Sequence, residues 1–168
     1  MQVIVREATE NDLASMYVVS IEAHRRAYDT LIPRDNLQRF IDCYTPSTKG
    51  RARYSAKMAK RVNDERWQLW VAARGDSVVG YTLREWKDKR NVQLRGLFVH
   101  PDYFSRGIGR RLFETSLESI GKKTKITFTV LKHNERAKKL YLQYGFKVVG
   151  SGEDFFGAPQ DIMEKWIH

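Results

Sequence analysis

The chain has 168 residues, 42% hydrophobic and 12% aromatic, which is enough apolar side chain to bury the core of one domain. Its 30 lysines and arginines outnumber 20 aspartates and glutamates, giving a formal net charge of +10. No stretch approaches the roughly 18 apolar residues of a membrane span, and residues 1–13 lack a secretory apolar run. Cys43 is the only cysteine, which excludes an intramolecular disulfide and a multi-thiolate metal site. We therefore expect a single domain over residues 1–168 in the reducing cytoplasm.

The excess positive charge is concentrated in two internal segments. Residues 47–62 carry six lysines and arginines and no acidic residue, and residues 100–139 also have a net charge of +6. Residues 1–46 and 140–168 each have a net charge of −2. A concentrated excess indicates an anionic partner more strongly than a diffuse one, so each basic segment needs its own explanation.

The first 62 residues predict one strand and three helices. Val3 and Val5 alternate with polar neighbours, and Thr9-Glu-Asn-Asp12 has the pattern of a helix capping box. Proline or serine is placed to begin each of the next two helices. The predicted elements are a strand over 3–8 and helices over 10–28, 33–40 and 47–62.

The rest of the chain predicts six strands and two helices. Three apolar runs, separated by turns at Gly75-Asp76 and Asp88–Asn91, predict an antiparallel meander. Helical periodicity follows, and Gly121 is placed to end that helix. With neither a linker nor a repeat, the order of elements predicts one mixed α/β domain. The strands are 67–74, 78–86, 92–99, 126–130, 146–150 and 162–167, and the helices 107–120 and 134–144.

The junction after the third meander strand, residues 99–111, has the pattern of an anion-binding site. Gly107 and Gly109 begin the predicted helix, and three arginines flank them. A helix N-terminus leaves N–H groups without partners and carries partial positive charge, so it attracts phosphate. Two such glycines also occur in a tight turn that leads into a helix, so the pattern alone leaves both interpretations open. It matches neither the P-loop nor the dinucleotide-binding fingerprint.

Three segments of the chain together resemble the motifs of a known family. They are Leu97-Phe-Val-His-Pro-Asp-Tyr-Phe-Ser-Arg-Gly-Ile-Gly-Arg-Arg-Leu112, Asn134-x-x-Ala137-x-x-x-Tyr141-x-x-x-Gly145-Phe146 and the opening Val5-Arg-Glu-Ala-Thr-x-x-Asp12. In order and spacing they resemble the coenzyme-A motif, the second motif and the first strand and helix of the GNAT superfamily of N-acetyltransferases. The resemblance implies a mainly antiparallel sheet flanked by helices. It also implies transfer of an acetyl group from acetyl-CoA to a primary amine by direct attack in a ternary complex.

The resemblance implies roles for individual residues. The N–H of Leu97 would polarise the thioester carbonyl, and Tyr141 would protonate the departing thiolate as a general acid. The competing interpretation of Tyr141 is a ring that packs in the core. Asn134 would contact the coenzyme arm. The implied coenzyme-binding residues are Leu97, Phe98, Val99, Phe104, Ser105, Arg106, Gly107, Ile108, Gly109, Arg110, Asn134, Lys138 and Tyr141.

Two positions depart from the family pattern. Phe104 stands where members often carry Gln or Arg, so its backbone alone could bind phosphate. Gln93 stands where many members carry a glutamate that acts as general base through water, and glutamine cannot accept a proton. Glu85 on the preceding strand is the candidate base, with Glu153 or Asp154 as alternatives. Each of these carboxylates is also consistent with an ordinary surface charge.

Acidic residues near the two ends of the chain indicate the chemical class of the acceptor. In the family's fold the first helices and the last hairpin flank the acceptor, so acidic residues there would attract a small cationic amine or a peptide N-terminus. The segment Gly157–Lys165 also resembles the tail of microbial polyamine acetyltransferases. The acidic residues are Glu22, Asp29, Asp35, Asp42, Glu153, Asp154 and Asp161.

Several alternatives stay open. A catalytically weak module that binds acetyl-CoA would share this fold; Gln93 favours it, whereas Tyr141 and Asn134 favour an enzyme. The predicted helix over 47–62 is either a solvated face or a contact for nucleic acid or the ribosome. The four histidines lack metal-ligand spacing, so no metal is expected. The sequence leaves the oligomeric state, including a homodimer, undetermined.

Overall fold

One seven-stranded sheet contains every predicted strand of the chain. The structure, a computed structural model, describes residues 2–28 and 32–168. The strands are β1 (Ile4–Glu7), β2 (Trp67–Arg74), β3 (Ser77–Asp88), β4 (Asn91–Val99), β5 (Thr124–Leu131), β6 (Lys147–Glu153) and β7 (Pro159–Ile167). The α-helices are α1 (Leu13–Tyr28), α2 (Arg34–Tyr44), α3 (Thr48–Val62), α4 (Ile108–Leu117) and α5 (Glu135–Gln143). The helix predicted over 10–28 begins as a 3₁₀ turn at Glu10–Asp12, and a second short 3₁₀ helix at Pro101–Tyr103 was not predicted.

The order of elements confirms the mixed α/β prediction, but two helix ends differ. The second helix continues four residues beyond Phe40, and α4 ends at Leu117 instead of Ile120. Arg84 explains the earlier end, because its buried Nη1 donates to the carbonyls of Ser116 and Glu118, both at 2.7 Å. The last carbonyls of a helix lack intrahelical partners, and here a guanidinium from β3 satisfies them. The prediction that Gly121 ends this helix was wrong.

The sheet opens between two of its central strands. Its strand order is β1-β2-β3-β4-β5-β7-β6; β4 and β5 are parallel, and the other neighbouring pairs are antiparallel. The pairing of β4 with β5 covers Asn91–Gln93 and Lys125–Thr127. Beyond it the two strands separate, while β5 stays paired with β7 along its whole length. In the described chain the second half of β4 therefore has one unpaired edge, and a cleft forms there.

Different helices cover the two faces of the sheet. The apolar sides of α1 and α3 pack on β2 and β3, where Met16, Met58 and Val71 are buried. α4 and α5 cover the opposite face, where Phe113 and Tyr141 pack around β5. Burying such a side chain contributes about 1.5–3 kcal/mol each, so both layers hold the opened sheet in place.

None of the helices formed by residues 2–28 and 32–168 has the length and apolarity required to cross a membrane.

Candidate active site

The cleft between β4 and β5 has a volume of about 830 Å³. It is lined by the second half of β4, the loop into α4, the end of β5, one side of α5 and the C-terminal part of α1. Because β4 and β5 separate, their backbone groups are available to a ligand instead of to each other. The motifs at 97–112 and 134–146 therefore meet in one place, as the resemblance implies.

The unpaired edge of β4 presents backbone N–H groups to the cleft. The His100 N–H donates to the Val79 carbonyl at 2.9 Å, next to the register pair Gly80–Val99. In an antiparallel ladder, residue pairs that exchange backbone hydrogen bonds alternate with pairs that do not. His100 and Val79 form a bonded pair, so Gly80 and Val99 form a non-bonded pair. The N–H of Val99 therefore points away from β3. The alternation repeats every two residues, and Leu97 has the same orientation. The N–H groups of Leu97 and Val99 thus face the cleft.

The first turn of α4 provides a second set of donors. Gly107 is the N-cap with φ of 75°, a left-handed conformation that suits glycine, and Ser105 has φ of 65°. Within the described residues, the N–H groups of 105–110 donate to no backbone carbonyl. The N–H of Phe104 differs, because it donates to the Pro101 carbonyl at 3.1 Å. The free donors lie at the positive end of the helix dipole, where they suit a phosphate group.

Two of the predicted coenzyme ligands have side chains that are held elsewhere. Arg106 donates to the Asp102 carbonyl at 3.1 Å, and the Lys138 ammonium lies 2.9 Å from Asp161. The hydrogen bond to Asp161 raises the pKa of Lys138, and the nearby Glu135 raises it further. Neither Arg106 nor Lys138 lines the cleft, whereas the other predicted coenzyme-binding residues all do. The structure therefore does not place these two side chains at the cleft.

Asn134 and Tyr141 each combine a structural role with a position at the cleft. Asn134 is the N-cap of α5, and its Oδ1 accepts the Ala137 N–H at 3.1 Å, which leaves Nδ2 as a donor. The Tyr141 ring packs between Phe113 and Phe128, with centroid distances of 4.9 and 4.5 Å. Burial raises the pKa of Tyr141, so its hydroxyl stays protonated at neutral pH. In the described chain that hydroxyl has no hydrogen-bond partner, and it is therefore free to donate to a ligand.

Glu85 is not brought to the cleft. Its carboxylate, 12% exposed, lies 3.1 Å from the Lys87 ammonium and 3.6 Å from the Arg95 guanidinium. Gln93 stands opposite Glu85 in the β3–β4 register, and its Oε1 accepts an N–H of Arg95 at 2.9 Å. Arg95 lines the cleft, whereas Glu85 and Gln93 do not. The structure therefore gives Glu85 the role of an ion-pair partner and does not place it as a general base.

Aromatic side chains, which we call the aromatic wall, stand beside the cleft near Leu97: His24, Tyr28, Tyr44 and Phe98. The His24 ring stacks on Tyr44 and Phe98, with centroid distances of 4.1 and 4.8 Å. The Tyr28 hydroxyl donates to the Asp154 carboxylate at 2.5 Å, and Asp154 also accepts the N–H groups of Phe156 and Ala158. A carboxylate from the last hairpin thus lies directly behind the aromatic wall.

His24 is uncharged at neutral pH. Its Nδ1–H donates to the Ser20 carbonyl at 2.7 Å, which leaves Nε2 as an acceptor. Burial lowers the pKa of His24 to about 4, against a partly opposing effect of the Ser20 hydrogen bond. The sequence suggested a packed residue here, and the structure adds its place in the cleft lining. The spacing of aromatic residues at 24 and 28, and again at 40 and 44, is the signal that could have predicted the wall.

Three of the other acidic residues predicted near the acceptor have local partners. Asp161 pairs with Lys138, Glu22 lies 3.9 Å from Arg25, and Asp42 accepts a hydrogen bond from Gln38. Asp29 lies outside the described residues. Among residues 2–28 and 32–168, no three histidine, cysteine, aspartate or glutamate side chains are grouped to hold a metal.

The comparison with protein families gives one match over most of the chain. Residues 46–165 match the family described as the acetyltransferase (GNAT) domain. The matched segment contains β2 to β7 and both motifs that line the cleft.

Curated proteins and solved structures include similar acetyltransferases. The peptidyl-lysine N-acetyltransferase YjaB of Salmonella typhimurium is 32% identical over 66% of this chain and 73% of its own length. An uncharacterized N-acetyltransferase of Mycobacterium bovis is 28% identical over 62% of this chain and 68% of its own length. The structure of the PaiA N-acetyltransferase from Thermoplasma acidophilum, in complex with coenzyme A, superposes with a TM-score of 0.76 at 21% identity, covering 99% of each chain. The chain belongs to the GNAT family of acetyl-CoA-dependent N-acetyltransferases.

Proposed function

We propose that this enzyme transfers the acetyl group of acetyl-CoA to a primary amine by direct attack within a ternary complex. The observation that carries the proposal is that two sets of unpaired backbone donors line one cleft, the N–H groups of Leu97 and Val99 on β4 and those of residues 105–110 at the start of α4. These donors fit the two halves of the coenzyme. An extended arm pairs with a strand edge, and a pyrophosphate binds at a helix N-terminus.

Two groups of the chain act at the reacting atoms in this proposal. Acetyl-CoA supplies an activated thioester. The Leu97 N–H points into the cleft, so it donates to the carbonyl oxygen as negative charge develops there. The Tyr141 hydroxyl holds a proton for the sulfur of the departing thiolate. Because burial raises the pKa of Tyr141, this proton is retained until a strong base forms beside it.

The attacking amine loses its proton without help from Glu85. That carboxylate is paired with Lys87 and Arg95, and Gln93 has no basic atom. Asp154 accepts three hydrogen bonds, from Tyr28, Phe156 and Ala158, which suits it to supply negative charge and not to accept a proton. We therefore assign the proton to water at the open mouth of the cleft.

The aromatic wall supports an acceptor that arrives as an ammonium ion. Ring faces attract a cation, and the Asp154 carboxylate lies behind Tyr28. A small cationic amine and the N-terminus of a peptide both satisfy this chemistry. The name of the Salmonella typhimurium relative, a peptidyl-lysine N-acetyltransferase, supports a peptidyl primary amine.

A steady-state assay of thiol release from acetyl-CoA tests the proposal. The acceptors are spermidine, amino acids, aminoglycosides and peptides with a free N-terminus, and we expect turnover with one of these amine classes. Turnover restricted to alcohols or arylamines, which carry no ammonium at neutral pH, would contradict it. If no amine supports turnover while coenzyme A raises the melting temperature, the chain is a binding module instead.

A further inference from the structure

A β-bulge in β4 places the side chain of Arg95 at the cleft. The register of β3 with β4 passes from Leu83–Gly96 to Arg84–Leu94, which leaves Arg95 as the extra residue. Bulges occur beside active sites, where they redirect a side chain that regular pairing would keep in the ladder. Arg95 is 38% exposed and lines the cleft, on the same strand as Leu97 and next to the aromatic wall.

The surroundings of Arg95 contain more positive than negative charge. Its Nε lies 3.6 Å from Glu85, which also binds Lys87, and its Nη1 donates to the uncharged Gln93. A guanidinium has five N–H donors, so these contacts leave others for a ligand. Lys57 and Arg61 of α3 complete what we call the Arg95 cluster. The Glu85 carboxylate contacts two of these cations, Lys87 and Arg95, and its charge also acts on Arg61.

The positive charges of the Arg95 cluster disfavour one another's protonated forms. Burial lowers the pKa of Lys57, and Arg61 and Arg95 lower it further. Burial also lowers the pKa of Arg61, with Arg95 adding to the effect and Glu85 opposing it. An anion bound among these side chains would relieve the repulsion and would meet charged donors at a partly desolvated site.

We infer that the acceptor carries a carboxylate near its amine, and that Arg95 at the bulge of β4 binds this carboxylate. The inference rests on the proposed function and narrows its acceptor class. An amine reaching the reacting end of the cleft would place a neighbouring carboxylate against the bulge of β4. Acidic N-terminal segments and free acidic amino acids share this chemistry, whereas a polyamine lacks it. The basic segment over 47–62 adds Lys57 and Arg61 to the positive charge around Arg95.

The test compares acceptors that differ in one charge. Three peptides of otherwise identical sequence carry Glu, Gln or Lys at the second position. Free glutamate and its diamide, which lacks both carboxylates, separate a peptide source from an amino-acid source. We expect kcat/KM to be about tenfold to a hundredfold higher for the acid than for its amide, the range of a charge-assisted hydrogen bond. The Arg95→Gln variant should lose this preference, so that its kcat/KM values for the acid and for the amide lie within about twofold of each other.

Matched variants separate the Arg95 cluster from general surface charge. Arg53→Gln removes an exposed cation of α3 and should keep the preference for the acidic acceptor. Arg95→Glu should reverse the preference in favour of the lysine peptide. Equal kcat/KM for Glu and Gln acceptors in the unmodified enzyme would overturn the inference while leaving the proposed function intact. A single-stranded oligonucleotide that binds through Arg95, without any acceptor preference, would also overturn it.

Discussion

The two parts of the cleft offer different chemical groups to a ligand. The part beside α4 consists of backbone N–H groups, held in place by a glycine N-cap and by a strand edge without a partner. The part beside α1 consists of side chains, namely the aromatic wall and the Arg95 cluster. Backbone donors exist at every residue except proline, whereas rings and charges change with each substitution. The first part thus suits the cosubstrate common to a family, and the second suits an acceptor that differs between members.

The largest effect expected from one substitution concerns the support of α4. Arg84 is 1% exposed and donates to Gln68, Ser116 and Glu118 at 2.6–2.7 Å. Arg84→Met would remove all three hydrogen bonds and leave the buried Ser116 carbonyl without this donor, so we expect a loss of about 4 kcal/mol in the free energy of unfolding. Urea titration measures the loss. Arg90→Met removes an exposed arginine and should stay within about 0.5 kcal/mol; similar losses in both variants would contradict the role of Arg84.

A second prediction concerns pH and the aromatic wall. The pKa of His24 is about 4 in the folded chain, against an ordinary value of 6.5, so between these values the unfolded chain binds more protons. Stability therefore rises with pH across this window and is lost as the pH falls below 6.5. The loss by pH 4 amounts to about 3 kcal/mol.

Urea titrations at a series of pH values measure this dependence. The His24→Phe variant keeps a ring between Tyr44 and Phe98 but has no titrating nitrogen. Its stability should fall about 3 kcal/mol less than that of the unmodified enzyme between pH 7 and pH 4. If the free energy of unfolding falls equally with pH in the two proteins, protonation of the His24 imidazole does not cause the loss of stability in acid.

A third prediction separates the two interpretations of Tyr141, a core ring and an acid. Tyr141→Phe keeps the ring between Phe113 and Phe128 and removes only the hydroxyl. We expect kcat to fall about a hundredfold, the lower range for general acid catalysis, with the melting-temperature increase on adding coenzyme A unchanged. Tyr144→Phe, on the same helix segment but with a hydroxyl bonded to Glu114, is the matched control. If the kcat of Tyr141→Phe lay within threefold of that of the unmodified enzyme, Tyr141 would be a packing residue and not the general acid.

The sequence predicts the backbone part of the site well, because that part depends on local signals. Apolar alternation identifies β4, Gly107 marks the start of α4, and Asn134 marks the start of α5, all as the structure has them. The Asp12 carboxylate also accepts the Thr9 N–H at 2.8 Å, as the capping pattern predicts. Each of these signals involves residues within a few positions of one another, so no long-range contact is needed to interpret it.

The side-chain part depends on contacts between distant positions. Glu85 and Arg95 are paired across β3 and β4, and Lys138 meets Asp161 across 23 positions, so neither pairing is visible in a local pattern. The bulge that redirects Arg95 likewise arises from strand register, which the sequence does not fix at single-residue precision. For this reason the predicted roles of Glu85 and Lys138 did not match their positions in the structure.

Phe98 and Phe104 allow the side-chain part and the backbone part of the cleft to be compared with one substitution in each. These substitutions have the smallest expected effects. The Phe98 ring packs on Tyr81 and His24 and covers Gly96, where an added Cβ would lie 2.3 Å from it. Phe104 is 41% exposed, and its N–H is already bonded to Pro101. Phe98→Ala should therefore raise the acceptor KM about tenfold, because it removes one face of the aromatic wall.

Phe104→Ala should change the dissociation constant of coenzyme A by less than about threefold, because backbone donors and not this ring hold the phosphates in our proposal. Isothermal titration with coenzyme A and steady-state kinetics with varied acceptor at saturating acetyl-CoA measure the two effects separately. If Phe104→Ala weakened coenzyme binding as strongly as Phe98→Ala raises the acceptor KM, side chains would define both parts of the cleft. The division between a backbone site and a side-chain site would then fail.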